Sequence, residues 1–126
     1  MEKTEDKSFI AQQKAEITEH FVYKRLSEVC KDEHNKTVLL KISEDELKHY
    51  KIWKGVTHVD MEPYRFKVNY YVWLARIFGL SFALKLMEQG EENAQLFYEE
   101  AAVQVPDVAQ IQKEEEVHEQ QLLGIL

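Results

Sequence analysis

The sequence predicts an all-α protein, an antiparallel four-helix bundle with a long crossover between its second and third helices. Three observations lead there. Only 4 glycines and 2 prolines interrupt 126 residues, so long helices are the expectation. Apolar residues recur at alternating steps of three and four, the spacing that lines one face of a helix. The turn signals come as a short connection, a longer one and a second short one, which sets two antiparallel pairs joined by a crossing.

The first helix is expected from about Ser8 to Cys30, followed by the polar turn "KDEHNK". Asn35 is a suitable N-cap for a second helix running to about Val56, because its side-chain oxygen can accept from backbone N–H groups of the first turn. "THVDMEPYRF" is the crossover, where Pro63 forbids a continuous helix. The third helical stretch is expected from about Val68 to Val103, roughly 54 Å of helix. The other helices are much shorter, so the excess should bend at Gly79 or project onto a second subunit. Pro106, in "VPDV", suits the start of a fourth helix that runs to the last residue.

Length and composition fit one domain, residues 1–126, with 44% hydrophobic and 31% charged residues. The net charge of −7 repels phosphate backbones and argues against nucleic acid as a partner. Cys30 is the single cysteine; it excludes an internal disulfide and a CxxC metal site, and points to a reducing compartment, the cytoplasm. The N-terminal "MEKTEDKSF" lacks the apolar core of a signal peptide. Residues 68–87, "VNYYVWLARIFGLSFALKLM", are long enough to span a bilayer, but Asn69, Arg76 and Lys85 make a span costly and Gly79 interrupts it. The stretch reads as a buried or interface helix. Its apolar surface exceeds what one small bundle needs, which predicts a homodimer.

Polar residues occupy the middle of each apolar stripe. The second helix gives Leu39, Ile42, Glu46, His49, Trp53 and Val56; the fourth gives Val108, Ile111, Glu115, His118, Leu122 and Ile125. The first gives Phe9, Gln12, Glu16, Glu19, Tyr23, Leu26 and Cys30, and the third gives Leu84, Met87, Glu91, Ala94, Tyr98, Ala101 and Val105. The chain also repeats itself: Glu16-x6-Tyr23 precedes Glu46-x-x-His49, and Glu91-x6-Tyr98 precedes Glu115-x-x-His118. Each motif alone is weak, because glutamates are frequent here. Both pairs in alternating order on interior faces make a strong composite.

Several carboxylates and two histidines in one apolar core would cost several kcal/mol per ion if left without compensation. Two cations at the centre would supply it. Glutamate and neutral histidine suit iron or manganese, and one Glu from each of two helices with Glu-x-x-His from each of the others is a di-metal carboxylate arrangement.

With these motifs the chain resembles the rubrerythrin branch of the ferritin-like superfamily, from about Ser8 to Leu123. It is most similar there to the rubrerythrin-type domain that precedes vacuolar-iron-transporter-like membrane domains, called membrane-bound ferritin. The stretches "HFVYKRLSEVCKDEHNK", "FGLSFALKLMEQGEENAQ" and "EEEVHEQQLL" carry that closer likeness. The resemblance implies a ferritin-like fold in which Glu16, Glu46, His49, Glu91, Glu115 and His118 bind two iron ions, with manganese or zinc able to substitute. Glu46 and Glu115 would bridge the metals, His49 and His118 would be terminal nitrogen ligands, and Tyr23 and Tyr98 would donate to the carboxylates. It also implies a transmembrane transporter as a partner beyond this chain, with the domain at the cytoplasmic face.

Two departures stand out. Rubrerythrins often carry a further carboxylate three residues after the third-helix ligand, where this chain has Ala94; Glu19 holds the pseudo-equivalent place on the first helix, and Glu88 competes for the role. The rubredoxin-like segment is missing, so an attached electron donor is not expected.

Plainer readings stand beside these. Tyr23 and Tyr98 also suit core aromatics, Glu19 also suits a solvated edge, and Cys30 reads as a small core residue. His20, His34 and His58 fall outside the pattern and read as surface residues. Three functions fit: a di-iron oxidoreductase that reacts ferrous iron with O2 or H2O2, a non-enzymatic iron or manganese sensor or carrier, and a helical assembly module.

Overall fold

The computed structural model describes residues 2–87 and 107–125, with side chains described for 9–87, 109–122 and 124. Among the described residues every regular element is a helix. They are α1 (Glu2–Val29), α2 (Glu33–Thr57), α3 (Arg65–Phe78), α4 (residues 80–87) and α5 (Asp107–Ile125). The chain forms two compact units, Met1–Trp73 and Leu74–Leu126.

The first unit is built on an antiparallel hairpin of α1 and α2. Moving up α1, Phe9 stacks on Trp53 with ring centroids 5.2 Å apart, Glu16 faces His49, and His20 faces Ser43. Partner numbers fall as α1 numbers rise, as the short connection requires. Leu26, Leu39, Ile42 and Trp53 are fully buried between the helices. α1 begins at Glu2 rather than near Ser8, because "EKTEDK" is rich in good helix formers and needs no apolar stripe to be helical.

The cap of α2 differs from expectation. Asp32, not Asn35, is the N-cap: it is extended (φ −81°, ψ 121°) and its carboxylate accepts the Asn35 N–H at 3.0 Å. Aspartate caps as well as asparagine, and this choice brings Glu33 into the first turn, beside the positive end of the helix dipole. Cys30 lies one residue past α1 rather than in its core stripe, half-exposed, with Sγ 3.5 Å from the Asp32 carbonyl. Val56 is 36% exposed, so the α2 stripe ends at Trp53.

At its other end α2 stops on His58, which is left-handed (φ 59°) and donates its N–H to the Lys54 carbonyl at 2.8 Å. A Cβ-bearing residue is strained there. His58→Gly is expected to raise stability by about 0.5–1 kcal/mol, less the entropy glycine adds to the unfolded chain. Chemical denaturation measures it.

Buried polar side chains fix the crossover, residues 58–64, onto this hairpin. Gln13, fully buried, donates to the Val59 carbonyl at 2.7 Å and accepts from the Thr57 hydroxyl. The Thr18 hydroxyl donates to the Lys14 carbonyl and accepts the Tyr64 N–H at 3.0 Å. The Tyr50 hydroxyl accepts the Met61 N–H at 2.8 Å and donates to its carbonyl at 3.3 Å. Backbone groups that leave a helix must find partners, and here side chains supply them.

α3 buries Val68 and Val72 and leaves Phe66, Tyr70, Trp73 and Ile77 exposed, Phe66 at 93%. Those four recur at steps of four, three and four, so they share one face. The expected bend at Gly79 is present: its φ of 98° ends α3, and the helix restarts at residue 80. In the second unit Leu74, Ala83, Leu84, Ile111 and Leu122 are buried. Among the described residues no helix is long and apolar enough to cross a membrane.

Candidate metal centre

Glu46 and His49 stand three residues apart on α2, so they share the face that also carries Ile42 and Trp53. Burying that apolar face carries both polar groups inward. Glu16 arrives from α1 for the same reason, between Phe9 and Tyr23 on its buried side. All three residues are 0% exposed. His49 Nδ1 lies 3.4 Å from Glu46 Oε1 and 3.6 Å from Glu16 Oε2. The ligand atoms of the three fall within 4.8 Å of one another.

The charges do not balance within this group. Two carboxylates carry two negative charges, and one imidazole offers at most a single positive one. A divalent cation would cancel both carboxylates while the imidazole stays neutral and donates a lone pair. Two carboxylate oxygens and an imidazole nitrogen suit iron, manganese or zinc, and such a group can hold a metal ion. Gln12, one turn before Glu16, donates from Nε2 to Glu16 Oε1 at 3.0 Å and leaves the other oxygen facing His49. Fixing a carboxylate by an outer hydrogen bond is how ligand sets are oriented.

The second unit carries the matching pair. Glu115 and His118, again at i and i+3, are 4% and 2% exposed, with His118 Nδ1 3.8 Å from Glu115 Oε2. Their neighbours Glu116 and Glu119 are exposed, as their places off the stripe require. In this acidic run Glu115, three residues before His118, is the buried carboxylate.

Of the other expected site residues, Tyr23 is buried at 1%, whereas Glu19 is half-exposed and is not brought into the Glu16, Glu46 and His49 group. Glu88, Glu91 and Tyr98 lie outside the described residues. Glu19 instead contributes, behind burial and Tyr70, to holding the Tyr71 phenol above its ordinary value of 10.0. The neutral phenol is therefore favoured in the folded chain. Below pH 10 both states are protonated and nothing is lost; above it, unfolding releases a proton, so stability falls as pH rises towards the folded value. A phenolate absorbance titration should show Tyr71 ionising late, and Tyr71→Phe should remove that step.

Comparison with protein-family models, curated proteins and solved structures finds no match. The geometry of the chain itself carries the functional argument.

Sequence reasoning placed Gln12 on the first-helix stripe without a role, read His20 as a surface residue and did not name Ser43. His34 and His58 are exposed as expected, but His20 is half-buried, and its ring bonds to Ser43 across the hairpin. The available signal was position: His20 follows Glu16 by four residues and Ser43 precedes Glu46 by three, so each lies one turn from a ligand.

Proposed function

We propose that this is a ferritin-like, di-iron carboxylate domain of iron handling, which oxidises ferrous iron with O2 or H2O2. The observation that carries the reading is the full burial of Glu16, Glu46 and His49 with their ligand atoms within 4.8 Å. The repeat supports a second metal: Glu115 and His118 reproduce the spacing and burial of Glu46 and His49, and Glu91 stands in sequence where Glu16 does. On this reading Glu46 and His49 in the first unit and Glu115 and His118 in the second would be the residues that hold the ions.

Bound iron would supply one-electron redox chemistry. With peroxide, two ferrous ions give one electron each and the peroxide takes two protons to leave two waters. The chain's part would be to supply buried carboxylates that hold the ions and to keep each histidine neutral as a ligand. Tyr23, buried on α1, would donate to a carboxylate of the set.

The exposed face of Phe66, Tyr70, Trp73 and Ile77 supports assembly as a homodimer, and the resemblance to membrane-bound ferritin supports an iron transporter as the downstream partner. Trp73→Glu should then halve the mass seen by analytical ultracentrifugation.

The deciding experiment titrates oxygen-free, metal-free protein with ferrous iron, then admits oxygen and follows the near-ultraviolet ferric absorption. A Glu46→Ala/Glu115→Ala chain runs beside it. Two irons per chain with rapid oxidation, lost in the variant, is the expected result. Binding without oxidation would favour a metal carrier or sensor. Equal behaviour of the two chains would leave the helices as an assembly module.

A further inference from the structure

α1 and α2 are joined by a reciprocal side-chain clamp one turn from Glu16 and Glu46. His20 Nδ1 lies 2.7 Å from the Ser43 carbonyl, and the Ser43 hydroxyl lies 3.0 Å from the His20 carbonyl and 3.0 Å from His20 Nδ1. The chemistry of the atoms fixes the protons. A carbonyl can only accept, so His20 Nδ1 carries a hydrogen and donates it. The serine hydroxyl spends its single proton on the His20 carbonyl and can only accept from Nδ1. Each residue thus donates to the other's backbone, and the pair closes in one register alone. A one-residue slip would move a ring or a hydroxyl about 100° around its helix and break both bonds.

Apolar packing between helices tolerates small sliding, because dispersion contacts are numerous and individually weak. Hydrogen bonds at 2.7–3.0 Å do not. Glu16 precedes His20 by four residues, and Glu46 follows Ser43 by three, so the clamp sits directly beside the level at which Glu16 meets His49.

We propose that His20 and Ser43 are positioning residues for the metal site: their two-way bond sets the sliding register of α1 against α2 and thereby the separation of the Glu16 carboxylate from His49. This rests on the metal-binding reading of that group. It assigns His20 a purely donor role through Nδ1, which asparagine can reproduce, since its Nδ2 occupies nearly the same place. Leucine fills the volume without the hydrogen.

The test measures Co(II) affinity and the visible Co(II) spectrum for the full chain and for His20→Leu, His20→Asn, Ser43→Ala and Leu39→Ala. Leu39→Ala removes core volume from the same hairpin and leaves the hydrogen-bonding groups of the clamp in place. His20→Leu and Ser43→Ala should each weaken Co(II) binding about 10–100-fold and shift the spectrum, as loss of an orienting hydrogen bond does. His20→Asn should restore both. Leu39→Ala should lower thermal stability and keep the wild-type spectrum. Wild-type affinity in His20→Leu, or an equal loss in Leu39→Ala, would overturn the assignment. The His49 ring signals of the metal-free chain, read by NMR, separate the two ideas. If the wild-type chain binds no Co(II), the metal reading falls. The register claim then stands if those signals move in His20→Leu and return in His20→Asn, and falls if they do not move.

Discussion

Glu46→Gln is expected to abolish tight metal binding and, in the same chain, to stabilise the metal-free protein. The directions differ because Glu46 is a ligand when a cation is bound and one of two neighbouring buried carboxylates when none is. Glu16 and Glu46 are fully buried beside the His49 ring, at 3.6 Å and 3.4 Å, and amidation of Glu46 removes one of these two neighbouring charges. Replacing part of a buried charge cluster by a neutral group of the same shape is worth about 1–2 kcal/mol when the charge was not fully compensated. Metal stabilisation goes the other way. At free metal near 1,000 times Kd the wild-type chain gains about 4 kcal/mol, and the variant should gain almost nothing. Thermal melts with and without Zn(II) or Mn(II) give both quantities. A variant destabilised in both conditions would make Glu46 a structural anchor and remove the main support for a cation there.

Trp53→Ala carries the largest expected cost to the fold, about 3–5 kcal/mol. The side chain is fully buried and its ring lies 5.2 Å from that of Phe9, so truncation opens a cavity between α1 and α2 that neighbouring helices cannot close. Folded domains hold only about 5–15 kcal/mol in total, so this one change approaches the margin. Trp53 also follows His49 by four residues, so the cavity opens one turn from the metal group. Urea unfolding followed by far-ultraviolet circular dichroism measures the loss. A loss below about 1 kcal/mol would mean the hairpin repacks freely at that end.

The helical class and the inward faces of α1, α2 and α5 were legible because they depend on spacing, which sequence displays directly. Glu16, Glu46, His49, Glu115 and His118 all proved buried where the stripe placed them. What spacing could not show was decided by pairwise geometry. Asp32 and Asn35 are equally good caps, and only the path of the turn chose between them. Val56 continues the α2 stripe in sequence, yet it lies beyond Trp53, the last buried level of that helix. His20 looked like a surface residue because a histidine four residues from a glutamate has no meaning until a particular serine stands opposite. The anchoring of the crossover by Gln13, Thr18 and Tyr50 was invisible for the same reason: each partner is a backbone group, and backbone groups carry no sequence signature. Glu91 and Tyr98 lie outside the described residues, so the third-helix half of the pattern rests on sequence.

The α1–α2 hairpin has a consequence for the life of the nascent chain. Glu16, Glu46 and His49 all belong to helices complete by Thr57, whereas α5 begins at Asp107. Translation at about 5–20 residues per second leaves roughly 3–10 s between the two. The clamp pair His20 and Ser43 is only 23 residues apart, against 44 for Gln13 and Thr57, so the hairpin can zip from its turn through the ligand level before its far end closes. The growing polypeptide can therefore bring these three candidate ligands together before Glu115 and His118 have been made. On the proposed metal-binding reading, the cation abundant near the ribosome in that interval has the first opportunity to enter, so metal identity can be settled by supply during synthesis as well as by affinity afterwards.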